Sequence, residues 1–566
     1  MRVRRVRVEG FRSLASLEVE LAESTALFGE NDAGVGLLLD ALTRALRVED
    51  EEDGALCAFS LADLPHLVSG ERGEILVLLE LEPSREGEWS EELHAPLRTE
   101  LLGEQPGREL VRLAIRVRVS GQQGVEQSET YESASGRRSE HPALRAWRRT
   151  ALPLLDLSRG LFSTPAAPRE RRARTSTEKP ERGALRLGFT RWIAAQPTLD
   201  DESWERIYPD IEHLWHELQR HLVPLTTTSG WLASDFDLDV PRAAQRTREV
   251  PLESSRGARL ALLLLAGALA QRSSEPLHPQ SSPFLVLGDL EAQLHSTTRF
   301  ALLGFLLHLR AQVVFSTHSS QVLVHLPLSA LRRVVRVGEG ARSFGVQPRA
   351  IPRDALRKIR YHLVTRHPEA LLARAWLLVE GETEAWLLPE IARAAGYYLP
   401  IEGVVLIEYA QCGLAPLLRL AESLRIEWHV LSDGDAAGES YAALARKHAR
   451  GASRDLRVTE LPERDIETSF WRHGFASVIQ RLAGTIERRA RESEPAFAHR
   501  AIKKALDRHA KPQVALKLIE ALGGARAPQV PPPLARCIEA TIELARKRPL
   551  LAADAAPRAR RRATPR

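Results

Sequence analysis

Leu377-Leu378-Val379-Glu380-Gly381-Glu382-Thr383-Glu384, read together with Val430-Leu431-Ser432-Asp433-Gly434-Asp435-Ala436-Ala437-Gly438, decides the fold of the C-terminal half. In each stretch an apolar run of strand length stops abruptly at carboxylates and glycine. An α/β sheet presents acidic ligands in this way, at the carboxyl ends of its strands. The segment between them predicts an amphipathic helix over Ala385 to Ala395, a strand over Gly403 to Glu408 and a second helix over Leu414 to Leu424. That is βαβαβ spacing, which sets the two acidic clusters side by side. Carboxylates gathered without matching His or Cys point to a hard oxygen-ligand site for Mg²⁺ or Mn²⁺.

The chain has 566 residues, 44% hydrophobic and 27% charged, the composition of an ordinary globular protein of several domains. Cys57, Cys412 and Cys537 are too scattered for a disulfide framework or a zinc pattern, so a reducing cytoplasm is expected. The start lacks the apolar core of a signal peptide, and the longest apolar run, Leu260 to Ala270, is too short to span a bilayer. The expectation is a soluble cytoplasmic protein with no membrane partner. A net charge of +5 says little about nucleic acid at this length; clustering of the basic residues says more.

From the N-terminus, Val3, Val6, Val8, Leu17, Val19 and Leu21 alternate as two short strands around Phe11-Arg12-Ser13-Leu14. Ala26 to Leu42 then reads as strand, glycine loop and helix. Gly29, Asn31 and Gly34 lie where a phosphate-cradling loop would hold a nucleotide, but Val35 and Gly36 stand where that loop carries its lysine and its Mg²⁺-binding hydroxyl. Glu74 to Leu81 and Leu110 to Val119 read as strands. Residues 159 to 184, with Arg169-Glu170-Arg171-Arg172-Ala173-Arg174, read as a solvated loop or a contact to a DNA backbone. Trp204, Tyr208, Ile211, Leu214 and Leu218 mark a helix that packs on another. Pro283 to His295 is a buried strand running into Asp289 and Glu291, and Gln312 to Ser319 is a strand ending at His318.

In that order, the Phe11-Arg12-Ser13 opening, the glycine loop, the Ser254-Ser255-Arg256-Gly257-Ala258-Arg259 segment, the strand–acid run and Ser316-Thr317-His318-Ser319 resemble the ATPase half of ABC-type proteins. More narrowly they resemble the overcoming-lysogenisation-defect (OLD) family. The Val379-to-Glu384 and Asp433-Gly434-Asp435 motifs resemble a Toprim domain, and ATPase followed by Toprim is the OLD nuclease architecture. The resemblance implies an α/β chain: an ABC/OLD-type ATPase-like domain over 1–365 with a helical dimerisation insert at about 185–225, and a Toprim domain with a parallel sheet over 366–475. A helical region over 476–548 and a basic tail over 549–566, containing Arg558-Ala559-Arg560-Arg561-Arg562, complete it.

What the resemblance implies for chemistry is uneven between the halves. Asp289 takes the place of the usual catalytic Glu, His318 that of the switch histidine, and Gly288 replaces the Mg²⁺-binding acid. With lysine, hydroxyl and carboxylate all missing, hydrolysis is not expected, and ATP binding is left open. In the second half Glu380, Glu384, Asp433 and Asp435 are all present as metal ligands and catalytic groups. Asp465 or Glu467 would add a ligand for a second ion, unless they merely favour a helix N-terminus. Lys511 matches the family lysine that neutralises transition-state charge, with Lys503 and Lys504 as competitors. The implied function is metal-dependent DNA cleavage by a homodimer, in antiphage defence, with a UvrD-type helicase as a partner of some relatives. A non-catalytic nucleotide- or DNA-binding sensor, or a topoisomerase- or primase-like Toprim enzyme, are the rival readings.

Overall fold

The computed structural model describes residues 1–46, 59–65, 73–103, 107–120, 124–157, 278, 280–289, 291, 299–300, 303, 311–347, 350–449, 456–522 and 529–547. The expected insert at 185–225, the arginine-rich stretch 159–184, the segment Ser254 to Arg259, the helix Leu260 to Ala270 and the basic tail lie outside these residues. The chain divides into two compact units, Met1–Gly345 and Val346–Arg566.

In the first unit β1 (Arg2–Phe11) and β2 (Leu14–Glu20) are the two strands that the alternation predicts, and they pair as an antiparallel hairpin. They are followed by β3 (Ser24–Gly29), α1 (Val35–Leu46), β4 (Ile75–Glu82), β5 (Val111–Ser120), β6 (Gly124–Ser133), β7 (Arg138–Ser139), α2 (Pro142–Ala151) and β8 (Leu154–Leu157). Beyond them come β9 (Phe284–Leu287), β10 (Gln312–Ser316), α3 (Ser320–His325), β11 (Leu331–Val337) and β12 (Gly340–Phe344). Two sheets result. One is antiparallel with order β2-β1-β4-β5-β6-β7. The other, β12-β11-β3-β10-β9-β8, is parallel except at its β12 edge. Its inner strands β3, β9 and β10 are buried almost from end to end, as strands covered on both faces are.

The Phe11-Arg12-Ser13 opening has a structural reason. Arg12, at φ 52°, sits at the hairpin turn and its guanidinium reaches Asp63 Oδ1 at 2.8 Å and Asp40 Oδ2 of α1 at 2.9 Å. Arg44 repeats the pattern, reaching Asp40 Oδ1 and Asp63 Oδ2, each at 2.9 Å. Asp63 is buried, and burial raises its pKa; the Ser60 hydrogen bonds and Arg12 reverse this, so the net shift is downward. Two carboxylates and two guanidiniums thus pin the glycine loop's helix to the β1–β2 hairpin.

In the second unit α4 (Arg353–Thr365) precedes β13 (Ala375–Val379), α5 (Glu382–Ala394), β14 (Val404–Glu408), α6 (Leu414–Leu424), β15 (Glu427–Ser432), α7 (Ala436–His448), β16 (Val458–Glu460) and α8 (Ile466–Phe470). A C-terminal layer follows: α9 (Ala476–Ala483), α10 (Glu494–Arg508), α11 (Lys511–Leu522) and α12 (Pro532–Arg546). The four strands are all parallel in the order β14-β13-β15-β16. Leu377, Val379 and Leu431 join one core with Leu387, Leu388 and Ile391 of α5 and Leu534 and Ile538 of α12. The alternate residues Trp376, Leu378, Trp428 and Val430 are buried on the opposite face, where α6 and α7 pack. No helix among the described residues is long and apolar enough to cross a membrane.

Removing the buried Asp63 carboxylate takes away one of the cluster's two anions and leaves Arg12 and Arg44 sharing Asp40 alone. Asp63→Ala is therefore expected to cost the first unit on the order of 3 kcal/mol. Chemical denaturation followed by Trp fluorescence measures this, and a change under 1 kcal/mol would contradict the clamp.

Candidate functional site

The sheet order places the site. From β13 the chain moves out to β14, then crosses back to β15 on the other side of β13. The connections therefore diverge between β13 and β15, and their carboxyl ends open the crevice where such sheets bind ligands. Glu380 follows β13 and Asp433 follows β15 directly.

The acids are carried differently from a simple helical spacing. Glu380 and Glu384 do not share a helix, because α5 begins at Glu382 with Gly381 as its N-cap. Glu380 belongs to the strand end. Glu384 lies in the first helical turn and folds back so that Oε2 accepts the Gly381 N–H at 3.1 Å. Gly has no side chain to cap with, and the glutamate at the third helical position takes over part of that duty. Asp435 likewise caps α7, its Oδ1 accepting the Gly438 N–H at 2.8 Å. Asp465 caps α8, its Oδ1 accepting from Thr468 N at 2.8 Å and Thr468 Oγ1 at 2.5 Å. The acids thus gather at the N-termini of α5, α7 and α8, where the helix dipoles favour negative charge.

Two glycines of the Asp433-to-Gly438 loop permit this approach. A Cβ at Gly438 would meet the Asp433 carbonyl oxygen at 2.0 Å, and one at Gly434 would meet the Leu461 and Glu463 carbonyl oxygens at 2.4 Å. The Gly434 N–H donates to Glu463 O at 3.0 Å and so ties the β15 loop to the segment leading to Asp465.

The cluster is electrostatically overloaded. Burial, then repulsion from Glu384, Glu380, Asp465 and Glu467, pushes the Asp433 carboxyl up to about 8. Burial and the field of Glu467 push Glu384 up to about 7, against the opposing hydrogen bond from Gly381. Glu380 is raised by burial and by Asp435, and Glu467 by burial and by Asp465. Lys511, first residue of α11, pulls Glu380, Glu384 and Glu467 back down, whereas the Lys504 ammonium donates to Thr485 O at 2.8 Å. Lys511 therefore sets its charge against three of the acids.

Glu380 Oε2 is sealed from solvent and accepts no hydrogen bond. An orphaned carboxylate oxygen inside an all-oxygen set of like charge fits a hard divalent cation. Glu380, Glu384, Asp433 and Asp435 would hold it, with Asp465 and Glu467 beside them. Tyr409 is a neighbour that sequence reasoning missed. Its buried hydroxyl donates to Leu431 O at 3.4 Å, and burial together with Glu380, Asp433 and Glu384 drives its pKa upward. Its only signal was its position just past the apolar strand β14.

In the first unit Gly29 closes β3, and Gly34, at φ +91°, makes the turn into α1. Asn31 is exposed on that loop, and Val35, at the lysine position, is buried in the core. Asp289 follows β9. Its N–H donates to Ser316 Oγ at 2.8 Å, its Oδ1 accepts from Ser316 Oγ at 3.2 Å, and His318 Nε2 lies 3.9 Å from the same oxygen. Glu291, given no role by the sequence reading, accepts from Thr317 Oγ1 at 2.5 Å and from the His318 N–H. The strand-end acids and the Ser-Thr-His-Ser segment therefore meet beside the glycine loop's strand.

Residues 371–435 match the family model described as overcoming lysogenization defect protein-like, TOPRIM domain. The match covers β13 to β15 with Glu380, Glu384, Asp433 and Asp435, in agreement with the resemblance of these motifs to a Toprim domain. Residues 1–137 and 242–370 match a family described as protein of unknown function (DUF2813). The uncharacterized protein YbjD of Escherichia coli (strain K12) is 28% identical over 97% of this chain and 100% of its own length. Among solved structures, the C-terminal region of the Burkholderia pseudomallei OLD protein is 20% identical over 31% of this chain and 99% of its own, at a TM-score of 0.26. The SMC head domain from Thermotoga maritima is 16% identical over 62% of this chain and 100% of its own, at a TM-score of 0.28.

Acids whose folded pKa lies above the unfolded value bind protons more tightly when folded. Without divalent cations, the second unit should therefore lose stability as pH rises from about 4, the unfolded value, towards about 8, the value of Asp433. Below that window the acids contribute no penalty. Asp433→Asn is expected to flatten this slope, and Mg²⁺ to offset it in the wild type. Urea denaturation at several pH values in chelator measures both; identical slopes in wild type and variant would refute the crowding.

Proposed function

We propose that the second unit is a metal-dependent DNA endonuclease site, and that the first unit dimerises and frames the DNA without hydrolysing ATP. The observation that carries the nuclease reading is the buried oxygen of Glu380, unsatisfied among carboxylates at the switch point of an OLD-like Toprim domain. Glu380, Glu384, Asp433 and Asp435 form the ligand set, and Asp465 and Glu467 extend it towards a second ion. Bound Mg²⁺ or Mn²⁺ would supply Lewis-acid activation of water and neutralisation of the phosphodiester. Asp435 and Asp465 each give one oxygen to a helix cap, which fixes the rotamer and commits only half of each carboxylate. Lys511 presents a cation on the same edge, where the phosphate's charge grows.

The reading of the first unit rests on what the glycine loop lacks. Val35 is buried where a lysine would reach a phosphate, Gly36 offers no hydroxyl, and Gly288 offers no carboxylate. Charge neutralisation and positioning are nearly all the protein contributes to phosphoryl transfer, so their joint loss removes turnover. By the resemblance to OLD-type nucleases, the biological setting is antiphage defence in the cytoplasm, alone or beside a UvrD-type helicase.

Nicking of supercoiled plasmid with Mg²⁺ or Mn²⁺ tests the nuclease. Asp433→Ala and Glu380→Ala should each lower the rate on the order of 10³-fold, the scale of several kcal/mol of lost charge stabilisation. Equal nicking by all three proteins would end this reading. For the first unit, phosphate release from ATP should be no greater in wild type than in Asp289→Asn; a metal-dependent rate abolished by that substitution would refute the framing role.

A further inference from the structure

At the outer strand of the same sheet a different donor set converges. β14 ends at Glu408, which is buried, although a carboxylate at this depth needs compensation. His362, from the last turn of α4, and His367, from the turn before the short helix Pro368–Leu372, close over it. His367 Nε2 lies 2.7 Å from Glu408 Oε2 and His362 Nε2 lies 3.4 Å from the same oxygen. The two imidazoles meet edge to face with ring centroids 5.0 Å apart. Among the described residues this is the one group of three His, Cys, Asp or Glu whose ligand atoms all fall within 4.8 Å of one another.

We infer that His362, His367 and Glu408 form a binding site for a borderline divalent transition metal such as Zn²⁺, separate from the acidic site and serving to fix the edge of the sheet.

Two independent features support a ligand here over a plain His–Glu contact. His362 is 2% exposed, and its Nε2, sealed from solvent, faces only Glu408 Oε2 at 3.4 Å, a contact too long for a well-made hydrogen bond, so the nitrogen is aimed into the cluster without a close partner. The spacing also suits coordination. Metal–nitrogen and metal–oxygen bonds of about 2.0–2.1 Å in tetrahedral geometry put neighbouring donors about 3.3 Å apart. The two His–Glu408 distances, 2.7 and 3.4 Å, bracket that value, and the three ligand atoms all lie within 4.8 Å of one another, so modest side-chain shifts would admit an ion. The opposite carboxylate oxygen, Oε1, faces the Arg366 guanidinium at 3.5 Å, which orients Glu408 and leaves Oε2 to the histidines.

Two imidazoles and one carboxylate select Zn²⁺, Co²⁺ or Ni²⁺ over Mg²⁺, the reverse of the all-oxygen site. The two sites are also coupled through the backbone. Glu408 pairs in register with Val379, and the next two amides, Tyr409 and Ala410, donate to Val379 O at 2.8 Å and Glu380 O at 3.3 Å. An ion at Glu408 would therefore anchor the strand against which Glu380 is held.

Co²⁺ titration of the full-length chain, stripped of metal and held in excess Mg²⁺ to occupy the oxygen site, tests the assignment. The expected result is one equivalent of Co²⁺ with the intense visible bands of four-coordinate cobalt, displaced by Zn²⁺. His367→Gln and His362→Gln should each abolish those bands, while Asp433→Asn should keep them. His367 is 14% exposed in its side chain, so its variant is the safer to fold, and circular dichroism verifies this. Absence of four-coordinate bands in the wild type, or their survival in both histidine variants, would overturn the site. Since the readout is binding alone, it stands or falls independently of nuclease activity.

Discussion

Repulsion among buried carboxylates is the constraint on which the second unit is built. Asp433 and Glu384 are driven towards neutrality by burial and by one another, and nothing in the apolar sheet beneath them can relieve that. The relief comes from the periphery: three helix N-termini, a lysine at the head of α11, and a set of donors whose remaining oxygens suit a dication. The fold tolerates the arrangement because the parallel sheet is buried on both faces and takes its stability from the apolar strands. The acids are confined to the edge where backbone N–H groups are free to meet them.

The first unit shows the opposite economy. Its glycine loop keeps the shape of a phosphate cradle, strand, turn and helix, and the Arg12–Asp63–Arg44–Asp40 cluster holds that helix firmly. Val35, Gly36 and Gly288 stand where a phosphate-cradling loop and its acidic strand would carry the groups that act on a nucleotide. Under the proposed function, the first unit serves as a scaffold and not as a motor.

Much of this architecture was legible from sequence. Parallel strands covered on both faces read as uninterrupted apolar runs, so β13, β14 and β15 stood out, and α6 spans the Leu414–Leu424 expected of it. The acids at their ends followed directly. What spacing could not give was the helical frame of Glu380 and Glu384, because a glycine N-cap moves the helix start by backbone geometry alone. Nor could it choose among Lys503, Lys504 and Lys511, since that depends on how the C-terminal helices turn. Tyr409, Glu291, and the His362–His367–Glu408 group were equally hidden, being joined only by tertiary packing between elements distant in the chain.

The position of α12 carries a consequence for how the protein is made. Leu534, Cys537 and Ile538 of this last helix cover one face of β13 and β15, and α11 lies against α5. A ribosome releasing the chain from its N-terminus exposes the completed strands well before the helix that seals them. The sheet therefore waits, one apolar face uncovered, until α12 has emerged. Assembly of the acidic crevice is thereby deferred until that helix is made, and a chain cut short anywhere before Pro532 would display its strands without their cover.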